Sequence, residues 1–554
     1  MIGKLSAPEI AVDCAGSEVS MRSRVLHVVG FVLACAAPCA LGAEREHRFS
    51  TSVKAEEIQF LFTDDDRLEE AVAWCQSAGI TRVFLETFRH GYQVEESLLE
   101  KSKAAFESGG IETAGLVTPT LIGKPSSGWN VVCCFSDRET QQRTLAVFEY
   151  AVRHFDVVLV DDFWFTDCTC PECTTAKDAQ RAAVGDAVYP VVGANWSAYR
   201  RELMCRLSEE VARTCRRVNP HVRLLVKFPC WYENYQNRGY DVPRMGEIFD
   251  GTWIGTETRD YDEAAQTGVP PTRAFFLARW AESVTPGKSE GAWYDPLWTT
   301  PATYLEQARM TILGGARESL LHSYGYLTMT DEEGKQWDDV VAKLGLTGVG
   351  GMGSPHGPAN FAALEPVMPE LIEVARQTGR RSLAGVAAYK PPNSPGRGDD
   401  ELFSFLGMTG LPLVPYSTFP DSAPAACFSM HALTTPDAAQ RIADYLATGR
   451  PTLLTERLAE ELGETLELPL PSAVVLPSGL WRLLDLPDAE LDALRAPFLK
   501  PFDLQGFRAP NKTGLVLFSD GSWVLSNFND HPVNVTVRGE SRDVAPRGYA
   551  CQWQ

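Results

Sequence analysis

Between residues 56 and 330, short β-rich runs alternate with longer stretches of helical periodicity. Eight runs read as strands: Ile58–Thr63, Arg82–Glu86, Thr113–Thr118, Val157–Asp161, Arg223–Phe228, Gly251–Thr256, Gly291–Asp295 and Ser319–Tyr324. Helical stretches separate most of them. Arg67–Ala78 (RLEEAVAWCQSA) spaces its apolar residues for one helix face and stops at Gly79. Glu96–Ser108, Gln141–His154, Trp196–Val218 and Thr303–Leu313 follow the same pattern. The alternation predicts a parallel sheet with crossover helices. Eight such units predict a (β/α)8 barrel over residues 50–345. A doubly wound open sheet is the alternative, but polar residues gather at the C-terminal strand ends, as barrels arrange them.

After Leu327 the texture changes. Gly348–Gly357 (GVGGMGSPHG) is a boundary or a cover over the barrel mouth. In 346–480, Ser382–Tyr389, Ala426–His431 and Thr452–Thr455 read as strands, and Asp437–Ala447 as a helix closed by Gly449. This predicts a flavodoxin-like α/β domain. It lacks a glycine-rich phosphate loop, so no nucleotide and no organic cofactor is expected. Residues 481–554 turn β-rich, with Gly514–Phe518, Ser522–Asn527, Val533–Val537 and Tyr549–Trp553 as strands and Asp520-Gly521 as a hairpin signal. They predict a small C-terminal β-sandwich.

At 554 residues the chain is too long for one core. Its formal net charge of −21 argues against nucleic acid as a partner and is indifferent to neutral sugars. From Met21 the order is that of an export signal: Arg22 and Arg24, an apolar run Val25–Ala34, then small residues to Ala43. Glu9, Asp13 and Glu18 do not suit a signal's first region, so Met21 is read as the true start and residues 1–43 as the signal region. Val32-Leu33-Ala34-Cys35 also resembles a lipoprotein box, which would lipidate Cys35. The expected location is outside the cytoplasm: periplasm, outer membrane or medium. No later run is long and apolar enough to span a bilayer. A homo-oligomer is compatible with the sequence, which does not specify one.

Barrel chemistry sits where strands end. Strand two ends at Glu86, followed by Arg89 and His90; strand four ends in Asp161-Asp162, followed by Trp164. Lys227 lies on strand five, with Trp231 after it. Glu257 and Arg259 follow strand six; Tyr294 and Asp295 end strand seven, with Trp298 beyond; His322 and Tyr324 end strand eight. Glycoside hydrolysis needs two carboxyls flanking one bond, one to donate a proton and one to attack or to activate water. Asp162, Glu257, Asp161, Asp295 and Glu86 are the candidates. The aromatics and basic residues named here are candidate sugar contacts. The competing role for each acid is a helix cap or an Arg partner, and for each aromatic a place in the core. Alternation along a strand places Asp161 and Asp162 on opposite faces, with Asp162 preferred at the mouth.

The sharpest motif is Cys168-Thr-Cys170-Pro-Glu-Cys173, directly after strand four. Three thiolates in six residues can reach one Zn2+. A closed site wants a fourth, which Cys133 or Cys134 on the preceding loop supplies. Such a site would be structural. Disulfides are the alternative in an exported protein.

The order of barrel, flavodoxin-like domain and β-domain resembles family 42 β-galactosidases, and the Cys cluster is similar to the zinc cluster of some members. The resemblance implies Asn-Glu at the end of strand four and a Glu on strand seven; here stand Asp161-Asp162 and Asp295. Retaining barrel enzymes acting on α-linkages use strands four and six instead, which selects Asp162 and Glu257. The reading is a divergent glycoside hydrolase cleaving an oligo- or polysaccharide. A catalytically inactive sugar-binding barrel and a metal-dependent hydrolase are the alternatives. The second has little support among nine His without His-x-His or His-Glu-x-x-His spacing.

Overall fold

In the computed structural model, residues 46–259, 261–337, 351–463 and 473–554 are described. The signal region with Cys35, and the start of the glycine-rich run, lie outside them.

Eight parallel strands close into a barrel. They are β1 (Arg48–Val53), β2 (Ile80–Arg89), β3 (Glu112–Val117), β4 (Val157–Val160), β5 (Arg223–Phe228), β6 (Gly251–Gly255), β7 (Ser289–Tyr294) and β8 (Glu318–Leu321). Each pairs with its sequence neighbour, and β1 pairs with both β2 and β8, which completes the ring. The helices between them match the periodicity: α1 (Ala55–Leu61), α2 (Asp65–Ser77), α3 (Glu96–Ser108), α4 (Arg138–His154), α5 (Pro171–Asp178), α6 (Trp196–Val218), α7 (Thr272–Val284) and α8 (Pro301–Leu313). Side-chain caps set their starts. Asp137 accepts from Thr140 N at 2.8 Å, and Asn195 from Ala198 N at 2.8 Å.

One element is a correction. Ile58–Thr63 is no strand; it belongs largely to helix α1, and the first strand is Arg48–Val53, RFSTSV. That strand's inward positions are serines rather than large apolar residues, so its pattern is faint. The end of the last strand also moves. β8 stops at Leu321, and Tyr324 instead opens a short helix, Tyr324–Thr328.

Phe84, Ala114, Leu116, Leu159, Leu225, Trp253, Trp293 and Leu320 form a cluster of their own, which fills the barrel interior. Gly291 is needed there, because a Cβ at that position would stand 2.6 Å from the Trp253 ring. Side chains alternate along a strand, so the residue two positions beyond each interior one faces the same axis. This rule places Glu86, Thr118, Asp161, Lys227, Asp295 and His322 in the layer above.

Beyond the barrel lies a five-stranded parallel sheet of β9 (Val386–Tyr389), β10 (Leu413–Tyr416), β11 (Ala426–Phe428), β12 (Thr452–Thr455) and β13 (Ala473–Leu476), in the order β10-β9-β11-β12-β13. An antiparallel sheet follows, built from β14 (Thr513–Phe518), β15 (Trp523–Asn527) and β18 (Tyr549–Gln552), edged by Leu383–Ala384. A separate hairpin joins β16 (Val533–Val537) to β17 (Glu540–Val544). Asp520-Gly521 makes the tight turn before β15, with Gly521 at φ +93°.

Candidate active site

The C-terminal end of the barrel carries an alternating lattice of buried charge. At its centre is Lys227 on β5. Its ammonium lies 2.8 Å from Asp162 Oδ2, 3.0 Å from Glu257 Oε1 and 3.4 Å from Asp161 Oδ1, and 4.0 Å above the Trp293 ring. Arg89 bridges Glu86 (3.0 Å) and Asp161 (3.8 Å). Arg259 bridges Asp295 (2.5 Å) and Glu257 (3.7 Å) and covers the Trp298 ring. All five acids proposed from the sequence therefore meet in one network. Unpaired burial of so much charge would cost several kcal/mol per ion; the bridging cations offset it.

The structure corrects the expected division of Asp161 and Asp162. Asp161 continues the inward register of Leu159, and its carboxylate accepts from Thr118 Oγ1 at 3.0 Å. Asp162 does not turn to the helix layer. β4 has ended, the chain turns so that Trp164 N donates to Asp161 O, and Asp162 comes back to the same ammonium. Alternation stops applying once the strand stops. Asp162 is the more open of the bridged pair, 19% exposed against 2% for Glu257.

Burial, opposed by Lys227 and reinforced by Asp161 and Glu257, raises the Asp162 carboxyl to about 7. Burial also raises Glu86 to about 7 and Asp295 to about 6, against Arg89 and Arg259 respectively. For Asp161 burial acts in the same sense, but Lys227 and Arg89 outweigh it and hold the carboxyl below the usual range. Neighbouring acids thus differ in protonation near neutral pH.

The remaining candidates separate. His322 stacks on Trp293 at 4.5 Å, and its Nδ1 shares a 2.7 Å hydrogen bond with Ser52 Oγ. Burial and nearby cations hold it well below the usual histidine range. His90 pairs with Glu56 at 3.1 Å. Trp231 and Trp298 are open to solvent in part. Trp164 is a correction: it is fully buried in the helix layer against Phe135 and Phe148, and its Nε1 donates to Ser208 Oγ. Tyr294 packs on Tyr304 in the core, and Tyr324 on Trp74 and Phe62.

Several residues of the site escaped the sequence reading. Glu57, on the helix after β1, accepts from Lys54 N at 2.9 Å and from Ser323 Oγ at 2.6 Å; the Lys54 ammonium sits 3.3 Å away and 3.8 Å over Tyr326. Lys54-Ala-Glu56-Glu57 would have been found had β1 been placed correctly. Lys54 Nζ also donates to Gly351 O at 2.9 Å, so the described part of the glycine-rich run lies against the end of β1.

Beside the acids, the sulfurs of Cys134, Cys168, Cys170 and Cys173 all lie within 4.8 Å of one another. Cys134 Sγ is 3.7 Å from Cys170 Sγ and 3.6 Å from Cys173 Sγ. These are not disulfide distances, and no described cysteine is bonded. They match the ~3.8 Å edge of a tetrahedron with metal–sulfur bonds of about 2.3 Å. The cluster can hold a metal ion. Cys133, its neighbour, is buried outside the group.

The family described as probable glycosyl hydrolase, catalytic domain, matches residues 36–347. An uncharacterized protein of Saccharolobus solfataricus is 24% identical over 311 residues, 51% of this chain and 49% of that protein, so the match spans about half the length of this relative. In fold, the chain is similar to the β-galactosidase of the psychrophile Marinomonas ef1, with a TM-score of 0.57 at 12% identity over 92% of this chain and all of that one. It is similar also to the polyextremophilic β-galactosidase of Halorubrum lacusprofundi, with a TM-score of 0.58, 12% identity, and coverage of 92% and 99%. A third, the GH42 β-galactosidase of G. stearothermophilus, gives 0.58 at 10% identity, covering 92% and 98%. The closed barrel, its acidic mouth and this match together place the chain in the family of probable glycosyl hydrolases, through its catalytic domain.

Proposed function

We propose that the protein cleaves glycosidic bonds of an oligo- or polysaccharide, with Asp162 as the proton donor and Glu257 as the opposing carboxylate. One observation carries the reading: both carboxylates touch the same Lys227 ammonium, which bounds their facing oxygens to under about 6 Å apart, the short separation of enzymes that use a nucleophile. Asp162 is the more open and, with its carboxyl raised to about 7, keeps its proton below that pH. Glu257 Oε2 is buried without a hydrogen-bond partner and fills the space that a side chain on Gly255 would take. Lys227 neutralises the pair between turnovers. The test is a screen of the purified protein against aryl glycosides of both anomeric forms, with Asp162→Asn and Glu257→Gln beside it. Each variant is expected to lose turnover at least a thousandfold while keeping its fold. Wild-type hydrolysis by both would transfer the assignment to Asp295 with Asp161; no cleavage by the parent would favour a sugar-binding barrel.

The Cys cluster is read as a structural zinc site. A bound zinc would supply a cross-link between the loops after β3 and β4, and four thiolates would leave it no open position. Cys170 at the N-cap of α5 suits a thiolate. The order of the second sheet supports a flavodoxin-like domain, and the C-terminal strands support a small sandwich. Export, through the signal-like order after Met21, completes the proposal.

A further inference from the structure

The loop after β3 carries an exposed aromatic ring, that of Trp129. Trp129 is 46% exposed, the second most open tryptophan described as a large exposed apolar side chain. Its ring is 5.5 Å from Phe163 and 6.3 Å from Phe165, nearly parallel to the latter. Phe163 directly follows Asp162, and Arg89, the cation that bridges Glu86 and Asp161, lies 6.0 Å from its ring. Phe165 in turn meets Trp231, half-buried on the loop after β5, edge to face at 5.3 Å. The indole thus ends an aromatic row that runs along the rim past the proton donor.

The loop is built to hold that ring in place. Asp167 accepts from Trp129 N at 3.0 and 3.2 Å, from Ser126 Oγ at 2.5 Å and from Arg238 at 2.5 Å. Gly128 lets the carboxylate approach, since a Cβ there would stand 2.5 Å from it. Ser127 Oγ accepts from Thr169 N at 2.8 Å and sits 3.6 Å from Cys168 Sγ. A large apolar ring held rigidly in water costs free energy unless something covers it. An aromatic face is electron-rich and attracts the C–H face of a pyranose; Phe165, nearly parallel to the indole, and the tilted Phe163 support the ring from within the protein.

We infer that Trp129, backed by Phe163 and held by Asp167, is a stacking platform for a sugar ring next to the one whose bond is cleaved. The inference rests on the glycoside-hydrolase reading for its substrate class. Trp129 contributes to binding rather than to bond breaking, and Asp167 acts as a positioning residue.

The experiment compares the parent with Trp129→Ala, Trp129→Phe and Asp167→Asn on the p-nitrophenyl glycoside cleaved best and on a disaccharide of the same sugar. Trp129→Ala should raise KM at least tenfold with kcat within threefold, Trp129→Phe should recover most of the loss, and Asp167→Asn should fall between. Unchanged KM in Trp129→Ala on both substrates would overturn the inference. A second readout does not depend on turnover: iodide quenching of tryptophan fluorescence, with and without xylo-, manno-, galacto- and gluco-disaccharides. At least one sugar should protect the parent's emission and leave that of Trp129→Phe unprotected. If no glycoside is hydrolysed, this readout alone decides, and the absence of protection by every sugar overturns the platform.

Discussion

At the scale of single residues, Lys227 organises the site. It is a buried cation among three carboxylates, and its charge is favoured well beyond the ordinary lysine range: burial opposes it, but Asp162, Glu257 and Asp161 prevail. Lys227→Met would leave that acidic cluster without its central counter-charge. The expected loss is about 3–5 kcal/mol, as for breaking a buried pair, read as a lowered midpoint in denaturant. The loss should shrink at low pH, where the acids can protonate. The pH dependence of hydrolysis follows from Asp162. A donor must hold its proton, so kcat/KM should fall as pH rises through about 7. A rate still rising above pH 8 would exclude Asp162 as donor.

At the scale of elements, the loops after β3 and β4 act together. If zinc holds Cys134, Cys168, Cys170 and Cys173, elemental analysis should find one zinc per chain, and Cys168→Ser should lower Tm by several degrees while KM changes less. Protein without zinc and with unchanged Tm in the variant would remove the structural site. Seven of the eight barrel strands were legible because they are short, β-rich runs between helices with clear periodicity. β1 was not, because Ser50 and Ser52 occupy its inward positions and the apolar Ile58, Phe60 and Leu61 downstream imitate a strand while belonging to α1, a short helix buried nearly all round. The faint pattern of β1 is what conceals Lys54, Glu56 and Glu57 in the sequence. The facing of Asp161 was written in its spacing from Leu159, but a parallel strand is apolar on both faces, so the sequence does not tell inside from outside. The site's acids were legible by position; the cations that pair them were legible only as basic residues nearby.

At the scale of the molecule, the loop after β5 ties the barrel to the second sheet. Glu233 accepts from His431 Nε2 at 2.7 Å and lies 3.1 Å from the Lys390 ammonium, all three buried. The same loop carries Trp231, so packing of the second sheet bears on the rim of the site. The architecture is shared with β-galactosidases at about a tenth identity, a level at which fold persists and specificity is free to differ. Export belongs to this scale as well. N-terminal sequencing of the native protein should find a start after Ala43 or a blocked, lipidated Cys35; an intact Met1 would contradict it.

The most direct test of the account is turnover of one activated aryl glycoside by the parent and by Asp162→Asn at matched folding, judged by circular dichroism. The account predicts measurable hydrolysis by the parent, falling above about pH 7, and a loss of at least a thousandfold in the variant. Equal rates in the two proteins would contradict it.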